Sequence, residues 1–200
     1  MQKFITFSLF LISFSFSKPL VAMEIIKKGD AALLQGGIKS GDEIKFKEFI
    51  NDPTNSNIKV IKLNSSGGFV IPARDIGRLI RSKNLSTFVD GKTDNCASAC
   101  TVIFGSGIKR HYVNGNSIKD GVYGFKEITV GLGYHEGNSP LSKDGNRYSG
   151  QATADMIASY YEFGVKNAKD IITLAPPNKL YRISSQTALN LGISTSSSNP

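Results

Sequence analysis

Histidine and cysteine are both scarce here, with two of each in 200 residues. Without a cluster of acidic ligands to join them they offer no metal site, and no cofactor is expected. Long apolar runs are equally few. Only residues 4–16 form one, and crossing a bilayer takes about 20 apolar residues, so no transmembrane segment is expected in the chain beyond it. Internal repeats are missing as well. Acidic residues are outnumbered, 16 against 24 lysines and arginines, for a net charge of +8. The positive charges (Lys27-Lys28, Lys45, Lys47, Lys109-Arg110) come in ones and twos and never gather with aromatics into a stacking patch. That distribution fits a solvated basic surface rather than a nucleic-acid groove, and leaves attraction to an anionic membrane face open.

What is present begins with a leader. Met1-Gln2-Lys3 precedes the apolar run, which is broken only by Thr6, Ser8, Ser13 and Ser15, and Leu20-Val21-Ala22 supplies a small residue at its exit. One positive charge, a short hydrophobic core and a small exit residue are the three parts of a cleavable signal peptide. A membrane anchor is the alternative, disfavoured by the length of the run and by the Lys18-Pro19 that soon follows. The reading is residues 1–22 as signal peptide and a periplasmic or secreted protein. Removal of Lys3 and Lys18 lowers the net charge from +8 to +6 and leaves some 178 residues, enough for one domain with a full core.

Along that mature chain, residues 24–28 and 31–35 read as strands around a Lys28-Gly29-Asp30 turn. Ser40-Gly41-Asp42-Glu43 opens a helix that Asn51-Asp52-Pro53 stops. Residues 58–63 are rich in β-branched side chains and read as a strand. Val70, Ala73, Ile76, Leu79 and Ile80 recur at helical spacing, and 85–89 is another strand. A short helix follows from Ala97 to Gly105-Ser106-Gly107, then extended segments at 109–113 and 122–128. The Gly-, Asn- and Ser-rich stretch 131–150 reads as a mobile loop, 153–165, 169–174 and 186–191 as helices, and 194–200 as a polar tail. Strands alternating with helices over 23–193 predict one α/β domain.

Two segments carry chemistry. Asn64-Ser65-Ser66-Gly67-Gly68 follows a buried strand, and paired glycines let bare backbone N–H groups approach a ligand, as an oxyanion site requires. A tight turn without function is the alternative. Cys96-Ala97-Ser98-Ala99-Cys100 places a serine between small residues at the start of a helix, where the dipole favours negative charge. Ser98 as a simple helix cap is the alternative there.

In this order, the two motifs resemble the Clp-type serine protease subunits of the wider ClpP/crotonase-like fold, and in particular exported, stand-alone bacterial relatives whose serine sits between two cysteines. The resemblance runs from about Leu34 to Ile193. It implies a single domain of repeated ββα units, with Ser98 as nucleophile, Gly68 and Ala99 N–H groups as oxyanion hole, and Gly67 shaping the turn. A peptide or ester substrate and a homo-oligomer are further implications. The general base departs from the family's Gly-x-His. By spacing, Tyr123-Gly124-Phe125-Lys126-Glu127 puts Lys126 at that place, whereas Gly133-Tyr134-His135-Glu136 supplies the histidine at the cost of about a dozen inserted residues. Lys126 is the preferred positional equivalent and His135 the rival. A lysine base needs burial to lower its pKa from about 10.4, while a histidine needs no tuning.

The region expected to supply an acid, Pro177-Asn178-Lys179-Leu180-Tyr181, holds no carboxylate, so a complete triad is not expected. His111 reads as a surface residue. Cys96 and Cys100, four apart and exported to an oxidising compartment, are within reach of a disulfide; two buried thiols are the alternative. The leading function is therefore an exported serine hydrolase. A catalytically degenerate binding or assembly module is the second reading. Acyl-thioester chemistry is a third, disfavoured because export removes the chain from coenzyme A.

Overall fold

The computed structural model describes residues 23–139 and 147–200. The proposed signal peptide therefore lies outside the described residues, as does the middle of the expected 131–150 loop.

Strands β1 (Glu24–Lys28) and β2 (Ala31–Gln35) form a hairpin through Gly29, whose φ of +66° suits glycine. Helix α1 (Asp42–Asn51) follows and ends where Pro53 begins a short 3-10 turn. Strand β3 (Val60–Asn64), helix α2 (Val70–Ser82) and strand β4 (Ser86–Asp90) continue the alternation. Then come β5 (Asn95–Ala97), α3 (Ala99–Ser106), β6 (Arg110–Val113), β7 (Gly121–Gly124) and β8 (Gly131–Tyr134). Helices α4 (Gly150–Glu162) and α5 (Ala168–Ile172), strand β9 (Lys179–Ile183) and helix α6 (Ser185–Asn190) complete the chain.

The strands build two mixed sheets, one in the order β1-β2-β3-β4-β6 and one in the order β5-β8-β9-β7. From β2 to β6 the first sheet is parallel, so each connection must cross over, and α1, α2 and α3 are the crossovers. Helix α2 shows why these helices form. Ala73, Ile76 and Ile80 recur on one face and are wholly buried, each isoleucine contributing about 1.5–3 kcal/mol of burial. Gly77 lies among them, where a Cβ would stand 2.8 Å from the Phe163 ring; only a glycine allows that approach.

The structure refines several sequence expectations. Residues 131–134, expected in a mobile loop, form the fully buried strand β8 between β5 and β9. Helix α3 starts at Ala99, because Ala97 is still paired with Gly133 as a strand residue. His111, expected at the surface, is 6 % exposed on β6, with Nδ1 against the Ser198 carbonyl at 2.9 Å. The polar tail is anchored: Thr195 N–H donates to Arg110 O and Tyr112 N–H to Ser196 O.

Candidate active site

The two motifs meet where the sheets join. Past the end of β3, Ser65 bridges Cys96 in parallel, with Ser65 N–H donating to Asn95 O at 2.6 Å and Ala97 N–H to Ser65 O at 3.1 Å. The chain then turns through Gly67 (φ +96°) and Gly68 (φ +143°). Both turn residues need glycine. A Cβ on Gly67 would stand 2.7 Å from the Ser98 Cβ, and one on Gly68 only 2.1 Å from the Ile38 carbonyl oxygen. Ser65 Oγ accepts from Gly67 N–H and fixes the turn from within.

Ser98 sits between β5 and α3 with φ +55° and ψ −129°. An L-residue in such a conformation costs about 1–3 kcal/mol and persists only where its surroundings over-determine it. Here they do. Ser98 N–H donates to Gly133 O at 2.9 Å, and its carbonyl accepts from both Thr101 N–H (2.9 Å) and Thr101 Oγ1 (2.6 Å). The Thr101 hydroxyl meets the buried Tyr160 hydroxyl at 2.7 Å, which ties the turn to α4. Ser98 itself is partly exposed, and its hydroxyl has no partner among the described residues.

Cys96 and Cys100 are joined by a disulfide with a Cα separation of 5.2 Å, both wholly buried. The bond brackets Ser98. Closing so short a loop removes about 2 kcal/mol of unfolded-chain entropy, so a double Cys96→Ala, Cys100→Ala variant should lose about that much stability in a urea titration. Two free thiols in the unreduced native protein would contradict the bond.

Gly68 and Ser98 line one cavity of about 420 Å³. The N–H of Gly68 and the N–H of Ala99, first residue of α3, donate to no carbonyl or side chain among the described residues. Two bare donors and the positive end of a helix thus flank the serine, which is what charge developing on a carbonyl oxygen requires.

The base candidates separate. Lys126 is exposed in the turn after β7, without the burial that a lysine base requires, and no hydrogen bond links it to Ser98 among the described residues. His135 follows β8, two residues past the Gly133 whose carbonyl receives Ser98 N–H. It is 3 % exposed, edge-on to Phe125 at 6.1 Å, and burial lowers its pKa below the ordinary histidine value. Its Nδ1 is buried with no hydrogen-bond partner, and no hydrogen bond links it to Ser98 among the described residues. Asn178, in the segment expected to supply an acid, is exposed. No group of three or more metal-ligating side chains exists among the described residues.

Sequence reasoning missed Ser65, Thr101 and Arg182. Arg182 is 1 % exposed and donates to the Gly131 and Ile128 carbonyls and to Asn95 Oδ1, bracing β8 beside the site, while burial lowers its pKa to about 10. A lone arginine amid Leu180, Tyr181 and Ile183 gave no signal of being buried.

No protein-family model matches the chain, and no curated relative does. Solved structures do match. The 1510-N membrane-bound stomatin-specific protease, as a serine-to-alanine variant, superposes with a TM-score of 0.58 at 16 % identity over 85 % of this chain and 78 % of that one. A lysine-to-alanine variant of the same protease, in complex with a substrate peptide, gives 0.58 and 16 % over 85 % and 74 %. The ClpP protease catalytic domain from Plasmodium falciparum gives 0.52 and 14 % over 82 % of each chain. This is the ClpP fold. Within it, the β1-β2-α1 and β4-β5-α3 runs display the expected ββα repeat.

Proposed function

We propose that the protein is an exported serine hydrolase of the ClpP fold that cleaves an amide or ester bond, with Ser98 as nucleophile and the Gly68 and Ala99 N–H groups receiving the oxyanion. One observation carries this reading: a serine held in a strained turn at a helix start opens into the same cavity as an uncommitted glycine N–H. His135 takes the proton from Ser98 and returns it to the leaving group. Similarity to proteases supports the reaction class, and with Nδ1 of His135 unpartnered among the described residues, packing alone orients this base.

A fluorophosphonate probe tests this reading. The purified mature chain should be labelled once, and Ser98→Ala should abolish the label. Absence of labelling between pH 6 and 9 would favour the second reading, a fold that keeps its pocket for binding after losing catalysis. That reading has its own support in the absence of any carboxylate bonded to His135 among the described residues.

Export is the second part of the proposal and rests on the leader at residues 1–22. Amino-terminal sequencing after expression with the leader intact should find Met23 first. A retained leader in a membrane fraction would argue for an anchor instead. No helix among the described residues is long and apolar enough to cross a membrane.

A further inference from the structure

The cavity beside Ser98 has a chemical character that the proposed reaction does not by itself explain. Phe69, Ile71, Pro72, Ala152 and Met156 give it apolar walls, and Phe69 and Ile71 remain 48 % and 44 % exposed. Such surface beside a nucleophile would suit an aliphatic side chain, were it not for Asp155. This residue, on α4, is the only charged one lining the cavity among the described residues. Among the described residues its carboxylate accepts one hydrogen bond, at 3.1 Å from the exposed Gln151 amide, and no lysine, arginine or histidine pairs with it.

An aliphatic group filling this cavity would strip water from the carboxylate and return nothing, a cost that disfavours the occupant. An anionic group would add repulsion. A lysine or arginine meets both demands, because its methylenes cover the apolar walls while its charge stays at the wetter end with the carboxylate.

We propose that the cavity receives the side chain adjoining the scissile bond, that this side chain is cationic, and that Asp155 is the specificity-determining residue. The inference rests on Ser98 as the nucleophile, so its test must not depend on turnover. Dye-labelled alanine peptides carrying a single lysine, arginine, leucine or glutamate are titrated into the Ser98→Ala protein, and anisotropy gives each Kd. Lysine and arginine peptides should bind roughly tenfold tighter than the leucine peptide, and the glutamate peptide weakest. In an added Asp155→Asn variant the lysine advantage should fall to about twofold or less, and Asp155→Lys should favour glutamate. Asp155 is partly exposed on a helix, so the variants are expected to fold, and melting curves check this. Leucine equal to or tighter than lysine, a lysine preference that survives Asp155→Asn, or no binding by any of the four would overturn the proposal. Lysine preference without fluorophosphonate labelling of the unmutated protein would instead overturn the catalytic reading, leaving a cation-selective pocket with no scissile bond beside it.

Discussion

His135→Ala is expected to lower kcat/KM about a thousandfold, the ordinary worth of a positioned general base, whereas Lys126→Ala should change it by no more than about twofold, as for an exposed surface residue. The two positions differ in what the fold does to them. β8 runs parallel to β5, so the residues after Gly133 are carried alongside the start of α3, and His135 is buried there. Lys126 stays on an exposed turn. The pH profile gives an independent check. Burial lowers the His135 pKa, so the imidazole remains neutral and able to accept a proton to below the ordinary value of about 6.5. The acid limb of kcat/KM should accordingly fall below about pH 6.5. Stability follows the same sign. As the pH drops, the unfolded chain takes up this proton before the folded one, so stability declines from about pH 6.5 down to the depressed folded value. His135→Ala should remove that contribution. A thousandfold loss in Lys126→Ala with His135→Ala intact would reverse the assignment.

Gly68→Ala should cost about 3–5 kcal/mol, from left-handed strain together with forced overpacking, a large part of the roughly 5–15 kcal/mol that holds a domain folded. The added methyl would stand 2.1 Å from the Ile38 carbonyl oxygen and 2.9 Å from its carbonyl carbon and nitrogen. Backbone on that side cannot swing away, because Ile38 N–H donates to Gly67 O and Phe69 N–H to Ile38 O. Gly41→Ala is the control. Its φ is also positive, at +92°, but a Cβ would meet nothing within 4 Å, so only the conformational term applies, about 1–2 kcal/mol. Urea titration of both variants reads the difference directly. Equal losses would mean that the clasp with Ile38 does not constrain the turn.

The residues that announced themselves in the sequence are those whose structure is decided locally. Strands β1 and β2 fall at 24–28 and 31–35 as expected, because the Gly29 turn between them sets the register. The helical face of α2 is written in its own spacing, and both chemical motifs could be read from short strings of small residues. What failed to show was decided by partners far along the chain. β8 looks like a loop because two of its four residues are glycine. A Cβ at Gly131 would strike Ile118 and the Tyr112 hydroxyl, and one at Gly133 would strike the Arg182 guanidinium. Those glycines make room for a buried strand instead of loosening a loop. β9 hid for the related reason that Arg182 occupies a position where periodicity anticipates an apolar residue. With β8 read as a loop, His135 lies outside the framework and spacing points to Lys126 first.

The paired hydroxyls of Thr101 and Tyr160 have a consequence for how this protein can change. They join the turn that holds Ser98 to α4, the helix that contributes Asp155 and Met156 to the cavity wall. The proposed selecting wall and the proposed nucleophile therefore share one frame. A substitution on the inner side of α4 that altered what the pocket accepts would also tug on the serine, so new preferences should arise by exchanges at the rim, where Gln151 and Asp155 can vary without disturbing Tyr160.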